Sequence, residues 1–503
     1  MFDHVVLTAS NEGQAEAYRA ELAHRGLHAA STPAASVVPD PRGRRVGSGL
    51  STLLALEHLA TNGKQDTHHS PATGTASVFR GKRVCVIHAG GDSKRLPAYA
   101  AHGKIFTPLP INTPDPRHAT LFDLLLADVS RIALPDEGRV VIATGDVYLD
   151  LGRHALGFDR PGIVGVGWAS SPDRGARHGV YRVDAGGSVT GFLHKPPPDV
   201  AAAEGAVRPD GAVLVDTGVV CIDPQTAGGW LERGASLLDA AHQGVAPQVD
   251  LYGDMLPAMI GRRTLHGVDW RGASELAVAI VPSSPFLHIG SSRELLDLLT
   301  ADTRHTDAWL PPDAPGRRVL NSRLGTGPES LGRRVLIESS DLARAPALAG
   351  DNIVVGVPRE CSEPVRLPEG WGLVCLPVTG PSGGASWAAV CFGTGDDFKT
   401  PMDSGGTFGN RPLRDVLAAS GLDAEQLWPG SPGESAVERT LWTARLWTPT
   451  TPDRMLEPIE WMLEHQDAPR AWAGSERLSL HQVMASVDHT RLLAARDRVL
   501  GGA

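Results

Sequence analysis

From residue 82 onward, short apolar runs rich in β-branched residues alternate with longer segments of helical composition. The runs predict strands at residues 84–89, 139–144, 163–167, 189–194, 213–222 and 276–281. This alternation is typical of an α/β fold, in which helices cover both faces of a Rossmann-like, mostly parallel mixed sheet. Ligands of such sheets bind outside the carboxyl ends of the strands. We therefore expect functional residues directly after the strands.

The first of these strands breaks into a glycine-rich loop that carries positive charge. It reads Val84-Cys-Val-Ile-His-Ala-Gly-Gly-Asp-Ser-Lys-Arg-Leu-Pro97, and Gly103-Lys104-Ile follows. Glycines let backbone N–H groups approach phosphate oxygens, because no Cβ stands in the way. Arginine and lysine supply the charge that peptide dipoles lack. The loop predicts a polyphosphate site formed by Gly90, Gly91, Ser93, Arg95 and Lys104. A solvated basic loop is the alternative interpretation.

Net charge and cysteine usage limit the partners of this chain. The formal net charge is −10 over 503 residues, without long runs of like charge, which argues against a nucleic-acid partner. The five cysteines include no CxxC pair, so a reducing cytoplasm is the expected compartment. No segment approaches 18 uninterrupted apolar residues, and the first residues lack the pattern of a signal peptide. We expect a soluble, cytoplasmic protein that binds neither nucleic acid nor membrane.

The texture of the sequence changes after the predicted sheet. Three short β-rich segments recur at intervals of roughly 16–18 residues: 319–324, 335–342 and 352–357. A β-helix of stacked coils is the favoured interpretation, and an ordinary antiparallel sheet is the alternative. Leucine-rich stretches at 413–422 and 478–496 predict helices further on. The expected domains are residues 1–312, 313–400 and 401–503. A β-helix would also offer a surface for a homo-oligomer.

Ten motifs occur in order along nearly the whole chain. They are Asp40-Pro-x-Gly-x-Arg-x-Gly-Ser-Gly49, His88-Ala-Gly-Gly-x-Ser-x-Arg-Leu-Pro97, Gly103-Lys104-Ile, Ala143-Thr-Gly-Asp-Val-Tyr148, His178-Gly-Val-Tyr181, Lys195-Pro196, Asp216-Thr-Gly218, Asp250-Leu-Tyr-x-Asp254, Gly290-x-Ser-Arg-Glu-Leu295 and Gly356-Val-Pro358. With these motifs the chain resembles the fucose-1-phosphate guanylyltransferase (GDP-fucose pyrophosphorylase) family. That family includes the amino-terminal half of bifunctional fucokinase enzymes.

The resemblance implies a sugar nucleotidyltransferase core, a β-helical region after it, and a reaction. GTP and L-fucose 1-phosphate, or a related sugar 1-phosphate, would give the GDP-sugar and pyrophosphate. Because both substrates are anions, the protein would align them and neutralise their charge. The kinase half of the bifunctional relatives has no room here, so a separate sugar kinase is expected upstream. The chain departs from the family pattern at residues 50–52 and 177–182, which leaves the sugar less defined than the reaction.

Magnesium is the expected cofactor, and two carboxylates are its predicted ligands. Mg²⁺ bridging phosphate oxygens prefers one or two carboxylates plus water. Asp146 directly follows a predicted strand and Gly145, and Asp254 matches the family position for a second carboxylate. The alternative is a turn or N-cap role for Asp146 and a helix start for Asp254.

By resemblance, the predicted catalytic residues are Arg95 and Lys104, which would hold the triphosphate, and Lys195, which would hold the sugar phosphate. Lys195 precedes three prolines, so its backbone is expected to be stiff and extended. A surface lysine is the alternative.

The remaining predicted site residues form three short groups. His178 and Gly179 would lie in the sugar or base pocket, although a lone histidine is often structural. Asp216, Thr217 and Gly218 would offer polar partners to the sugar ring, or form a strand-end turn. Gly47, Ser48 and Gly49 lead into a predicted helix at 51–60, and would bind the nucleotide directly or brace the main loop.

Other interpretations of function stay open. The same chemistry could act on another sugar or cyclitol 1-phosphate of a secondary pathway, or the chain could be a non-catalytic, nucleotide-sugar-binding paralogue. The second is disfavoured because the five predicted catalytic and metal-binding side chains are all present. A dinucleotide-dependent oxidoreductase is disfavoured because the loop at Gly90 and Gly91 is basic and lacks a third glycine.

Overall fold

The chain divides into two compact units. A computed structural model describes residues 2–62, 75–151, 154, 156–282, 286–301, 309–380, 383–430 and 438–501. The first unit comprises residues 1–91 and 122–287, and the second comprises residues 92–121 and 288–503. The glycine-rich loop is therefore split: Gly90 and Gly91 belong to the first unit, while Ser93, Arg95 and Lys104 belong to the second. The finer, three-domain division stays a prediction.

The first unit is built on a mixed β-sheet. Its strands are β1 (His4–Ala9), β2 (Ala34–Pro39), β3 (Arg83–His88), β4 (Arg139–Thr144), β5 (Val147–Leu149), β6 (Ile163–Ser170), β7 (Gly179–Val183), β8 (Val189–His194), β9 (Val213–Ile222), β10 (Leu276–Val281) and β11 (Phe286–His288). The main path runs β10-β6-β9-β4-β3-β1-β2, with β7 and β8 joined at the side of β9, while β5 and β11 form a separate two-stranded sheet. Along that path β9 is antiparallel to both neighbours and the other pairs are parallel. The predicted mostly parallel mixed sheet is confirmed.

Helices of the first unit lie between the strands in sequence. They are α1 (Glu12–His24), α2 (Ser48–Asn62), α3 (Leu121–Val129), α4 (Pro172–Gly175), α5 (Pro198–Ala203), α6 (Pro224–Gln243) and α7 (Leu256–Ile260). Leucines of α2 and Trp230 of α6 share one buried cluster with valines of β3 and β4. The Asp223 side chain caps α6 by accepting the Thr226 N–H, and Gly244 ends it in a left-handed conformation. Local capping and apolar burial thus fix α2 and α6 against the sheet.

The second unit contains two parallel ladders of short strands. After α8 (Ser292–Leu299), its strands are β12 (Arg317–Leu320), β13 (Ser330–Leu331), β14 (Val335–Glu338), β15 (Ala347–Leu348), β16 (Asn352–Val355), β17 (Arg366–Leu367), β18 (Trp371–Thr379), β19 (Ala385–Gly393), β20 (Thr407–Phe408) and β21 (Arg411–Pro412). One ladder is β12-β14-β16-β18 and the other is β13-β15-β17, with parallel pairing throughout. β19 pairs antiparallel with β18 at the end of the first ladder. The predicted β-rich segments therefore pair in parallel, as stacked coils require.

A buried asparagine joins neighbouring segments of the ladders. The Asn352 side chain donates to the carbonyls of Pro368 (2.8 Å) and Trp371 (2.9 Å), and it accepts the Gly350 N–H (2.8 Å). Buried amides satisfied in this way stabilise a core, because an unpaired one would cost about 1–3 kcal/mol. The apolar partners Ile337 and Val354 stack in register beside it.

The last part of the chain is mainly helical and irregular. Its helices are α9 (Leu413–Ala419), α10 (Ala424–Leu427), α11 (Glu460–Leu463), α12 (Arg470–Ala473), α13 (Leu480–Ala485) and α14 (His489–Leu500). The single helix predicted at 478–496 is wrong, because the chain breaks between α13 and α14. There Val487 bridges to Val378, and the Asp488 carboxylate caps α14 by accepting the Arg491 N–H. Within the described ranges, no helix is long and apolar enough to cross a membrane.

Candidate functional site

Three carboxylates of the first unit gather around the Tyr252 side chain. Asp146 lies in the tight turn after β4, where the neighbouring Gly145 N–H donates to the His88 carbonyl (2.9 Å). Burial raises the pKa of the Tyr252 phenol, and the charges of Asp216, Asp250 and Asp146 raise it further. We call Asp146, Asp216, Asp250 and Tyr252 the acidic edge. It concentrates negative charge just past a strand end, where the sequence predicted function.

Gly218 lets the acidic edge pack closely. The Tyr252 hydroxyl donates to the Gly218 carbonyl (2.7 Å). Gly218 has a φ of 72°, and a Cβ there would lie 2.6 Å from the Thr144 methyl group. Only glycine fits this left-handed, crowded position. Packing alone therefore explains why residue 218 is a glycine, and its predicted contact with sugar stays a prediction.

Asp216 is a carboxyl group whose protonation changes in a mildly acidic range. The Tyr181 hydroxyl (3.0 Å) and the Gly218 N–H (3.1 Å) both donate to its Oδ1. Burial nevertheless raises the pKa of Asp216 to about 6, against the lowering effect of those two hydrogen bonds. The neighbouring Thr217 hydroxyl donates to the Val166 carbonyl (2.9 Å) and is buried, so in this conformation it serves the sheet.

Asp254 and Asp250 cap the start of the helical turn that leads into α7. Asp250 Oδ1 accepts the N–H groups of Tyr252 and Gly253, and Asp254 Oδ2 accepts the Asp250 N–H (2.8 Å). This reciprocal pairing is the helix-start role that the sequence left open for Asp254. Asp250, which was quoted only as part of a motif, is the one whose charge reaches Tyr252 and Asp216.

No ready-made metal cage accompanies these carboxylates. Within the part of the chain that the structure describes, no group of three or more His, Cys, Asp or Glu side chains could hold a metal ion. Mg²⁺ held partly by substrate phosphates and water needs only one or two carboxylates, so the half-buried Asp146 in its turn still fits that ion. The metal roles of Asp146 and Asp254 stay predictions.

The Gly47-Ser48-Gly49 segment is held by the protein itself. The N–H groups of Gly49 (2.8 Å) and Leu50 (3.4 Å) donate to the Val249 carbonyl, and the Ser48 hydroxyl donates to Asp250 Oδ2 (2.6 Å). A Cβ on Gly47 would lie 2.4 Å from the Val249 carbonyl oxygen. The start of α2 therefore braces the irregular segment at Val249 and Asp250, and the N–H groups of Gly49 and Leu50 are already engaged.

The predicted sugar-side pair lies at the end of the β7–β8 hairpin. The Lys195 N–H donates to the His178 carbonyl (2.9 Å), and Gly179 pairs with His194. The His178 ring meets Phe286 edge-on at 5.2 Å. Lys195 has a φ of 48°, so the expectation of an extended backbone is wrong: the hairpin hydrogen bond overrides the preference imposed by the following proline. A left-handed lysine is strained, and such strain is common at functional positions.

In the second unit, the three cations Lys94, Arg95 and Lys104 lie in one segment, residues 93–104, which we call the cationic segment. Hydrogen bonds from residues elsewhere in the unit hold its backbone. Ser93 is buried with a φ of 54°, and its carbonyl accepts the Leu96 N–H (2.7 Å). The Arg95 carbonyl accepts the Ser292 N–H (2.9 Å), while the Arg95 side chain is exposed. The Lys94 carbonyl accepts the Phe398 N–H (3.1 Å). These hydrogen bonds fix the backbone from which the Arg95 side chain projects.

The two lysines of this segment, Lys94 and Lys104, have different surroundings. Lys94 Nζ lies 3.3 Å from Asp92 Oδ2 and 5.3 Å from the Trp442 ring centroid. Lys104 Nζ donates to the Gly290 carbonyl (3.2 Å). An ammonium that faces a carboxylate and an aromatic ring is already compensated, which distinguishes Lys94 from the lysine that donates to the Gly290 carbonyl.

A family model for the fucose pyrophosphorylase domain matches residues 76–270 and 270–452, which is well over half of the chain. The chain belongs to the fucose pyrophosphorylase family. It is 30% identical to the bifunctional fucokinase/GDP-fucose pyrophosphorylase of Arabidopsis thaliana, over 97% of this chain and 51% of that protein. It is 26% identical to the L-fucokinase/L-fucose-1-P guanylyltransferase of Bacteroides fragilis, over 92% and 48%. It is 28% identical to the fucose-1-phosphate guanylyltransferase of Mus musculus, over 60% and 57%. The chain thus spans about half the length of the two bifunctional relatives.

The fucose pyrophosphorylase match covers residues of both units, and three of them were missed as individual candidates. Asp250 and Tyr252 complete the acidic edge, and Glu294 accepts the N–H of Gly290, whose carbonyl holds Lys104. All three occur within motifs that carried the resemblance, which was the available signal. Spacing alone could not separate them from their neighbours, because their partners lie far away in sequence.

Proposed function

We propose that this chain is a sugar-1-phosphate guanylyltransferase, which converts GTP and L-fucose 1-phosphate into GDP-fucose and pyrophosphate. The observation that carries the proposal is the match of the fucose pyrophosphorylase model from residue 76 to residue 452. It is supported by relatives that bear the name guanylyltransferase in a bacterium and a mammal, and by a plant relative named as a GDP-fucose pyrophosphorylase.

The proposed chemistry is an in-line displacement at phosphorus. An oxygen of the sugar 1-phosphate forms a bond to the α-phosphorus of GTP, and the bond from that phosphorus to the bridging oxygen breaks, so that pyrophosphate leaves with the electron pair. No covalent enzyme intermediate is needed, and the protein contributes alignment and charge neutralisation. Arg95 and Lys104 would hold the triphosphate, since hydrogen bonds to their carbonyls fix the backbone of both and the Arg95 side chain is exposed. The glycines Gly90 and Gly91 would let the backbone approach the phosphates.

Magnesium would be held by Asp146, with Asp254 as the second predicted carboxylate. When bound, the ion would neutralise charge on the phosphates. Asp146 fits this task because it lies in a turn at a strand end, with two further acidic residues of the acidic edge nearby. Asp254 fits less well in the conformation described, because one of its oxygens caps Asp250.

On the sugar side, Lys195 would hold the attacking phosphate. Its strained backbone and exposed ammonium support this role. Asp216 would accept hydrogen bonds from sugar hydroxyls, and His178 with Gly179 would form a wall of the pocket. The segment Gly47–Gly49 would act as a brace behind the loop, because its N–H groups are already engaged.

The architecture of the second unit, the cellular compartment and the oligomeric state belong to the same proposal. We infer that the two parallel ladders are faces of a β-helix, supported by a register of 17–19 residues between successive strands. We further propose a cytoplasmic protein that associates into homo-oligomers. A sugar kinase reaction must supply the 1-phosphate.

A coupled pyrophosphate-release assay tests the proposal directly. Purified protein with Mg²⁺ is given each of the four nucleoside triphosphates and a panel of sugar and cyclitol 1-phosphates. We expect the highest kcat/KM with GTP and L-fucose 1-phosphate. Higher turnover of another sugar or cyclitol 1-phosphate would transfer the same chemistry to that substrate. Absence of pyrophosphate release with every pair, in protein that still unfolds cooperatively, would leave the non-catalytic binding protein as the correct interpretation.

A further inference from the structure

Both predicted cations of the second unit meet one short turn, residues 290–294. Lys104 Nζ donates to the Gly290 carbonyl (3.2 Å), and the Arg95 carbonyl accepts the N–H of Ser292. The guanidinium of Arg95 is close enough for its charge to lower the pKa of Glu294. The turn belongs to the Gly290-x-Ser-Arg-Glu-Leu295 motif, which has no part in the function proposed so far.

Glu294 holds this turn in shape. Its Oε2 accepts the Gly290 N–H (2.9 Å) and lies 3.5 Å from His288 Nδ1. The hydrogen bond from His288 is the main reason that the pKa of Glu294 is lowered to about 2. Burial opposes this shift, and the charges of His288 and Arg95 support it. The carboxylate is therefore ionised at any working pH.

Gly290 has no room for a side chain because of the same carboxylate. A Cβ there would lie 2.5 Å from Glu294 Oε2 and 2.5 Å from His288 Cε1. One face of Gly290 is thus packed against Glu294 and His288, while its carbonyl meets Lys104. The contacts of Glu294 and Lys104 thus meet on one residue, at the N–H and at the carbonyl of Gly290.

We propose that Glu294 is a positioning residue for the phosphate-binding cations: it fixes the Gly290 carbonyl that holds Lys104, and it attracts the guanidinium of Arg95. The inference rests on the proposed function, in which these two cations bind the triphosphate. Glu294 does not itself touch substrate, because a carboxylate would repel phosphate oxygens. It arranges both cations before substrate arrives, which lowers the cost of ordering them on binding.

A purely structural role is the competing explanation. Glu294 lies in the first turn of α8, next to the Ser291 N-cap, where an acidic side chain stabilises a helix. Such a role would change stability but not anion affinity. A third explanation is purely electrostatic. Removal of a negative charge beside two cations should then tighten anion binding. For removal of the Glu294 carboxylate, the positioning role therefore predicts weaker anion binding, the structural role unchanged binding, and the purely electrostatic explanation tighter binding.

The test compares Glu294→Ala and Glu294→Gln with Asp297→Ala in the full chain. Asp297 lies on the same helix and pairs with Arg334 at 2.6 Å, so its loss removes a helix carboxylate without touching Gly290. Titration calorimetry gives the Kd of pyrophosphate, KM for GTP and kcat come from pyrophosphate release, and thermal unfolding gives stability. Pyrophosphate binding requires no turnover.

We expect Glu294→Ala to raise the Kd of pyrophosphate and the KM for GTP about tenfold, with a smaller change in kcat. Glu294→Gln keeps an acceptor for the Gly290 N–H and should recover part of the loss, while Asp297→Ala should stay within twofold of the wild type. Unchanged or tighter pyrophosphate binding in Glu294→Ala would overturn the inference, as would an equal loss in Asp297→Ala. Wild-type protein that binds no pyrophosphate would overturn it too. Wild-type protein that binds pyrophosphate but turns over no sugar 1-phosphate would instead contradict the proposed function.

Discussion

The acidic edge of the first unit and the cationic segment of the second are built in opposite ways. Two residues of the acidic edge are placed by regular strands: Asp146 lies in the turn after β4, and Asp216 lies within β9. The cationic segment has no long regular element, and hydrogen bonds from Ser292 and Phe398 hold its carbonyls. A sheet positions its side chains through its own ladder, whereas an irregular segment depends on partners that are distant in sequence. We therefore expect mutations to act locally at the acidic edge and through neighbours in the cationic segment.

Removal of a cation should have the largest effect. Arg95→Ala and Lys104→Ala should each lower kcat/KM by about 10³-fold, since a charge-stabilising contact to a developing oxyanion contributes on that scale. Lys94→Ala is the matched comparison, because Asp92 and Trp442 already compensate that ammonium, and its loss should stay below about tenfold. Pyrophosphate release and thermal unfolding measure both quantities. Equal losses in all three variants would mean that the segment acts only as a basic field.

Substitutions at the acidic edge come next in size. Asp146→Asn should lower kcat about 10²-fold and weaken the response to Mg²⁺, because the amide is a poorer ligand for a hard cation. Asp254→Asn should have a smaller effect on kcat and a larger one on the melting temperature, since Asp254 caps Asp250. Magnesium titrations of pyrophosphate release, paired with thermal melts, separate these outcomes. The reverse ranking would make Asp254 the principal ligand.

Two glycines give a smaller contrast, in stability. Gly47→Ala should destabilise the protein by about 2 kcal/mol, because its φ is 84° and a Cβ would meet the Val249 carbonyl oxygen at 2.4 Å. Gly91→Ala should cost about 1 kcal/mol, since its φ is 123° but nothing lies within 4 Å of the added atom. Denaturant unfolding measures both values. Equal costs at the two positions would show that backbone strain, and not the brace at Val249, dominates.

The smallest expected effect is the pH dependence from Asp216. Burial raises the pKa of this carboxyl from 3.8 to about 6. Its contribution to stability is therefore present below pH 3.8 and is lost as pH rises through about 6. Asp216→Asn has no such loss, so its stability relative to wild type should rise by on the order of 1 kcal/mol between pH 4 and pH 6.5. Urea unfolding at several pH values tests this, and a difference that is flat with pH would contradict the raised pKa.

Much of the first unit could be predicted from sequence because its order is local. Val84, Val86, Val140 and Ile142 are buried, as apolar runs in a covered sheet must be, and the turn at Asp146 follows its strand as expected. The prediction failed where a distant partner decides. Lys195 is left-handed because its N–H bonds to His178, and the expected helix at 478–496 breaks because Val487 pairs with Val378.

The sequence by itself determined the mixed sheet, the recurrent β-rich segments and the family, because periodicity and ordered motifs are properties of the chain as written. Only the tertiary structure assigned Lys94, Lys104 and Glu294 their different surroundings. The reason is physical: the availability of a charge depends on which groups lie within a few ångströms of it. Trp442 and Gly290, which lie far along the chain from the cations they contact, become neighbours only in the folded unit.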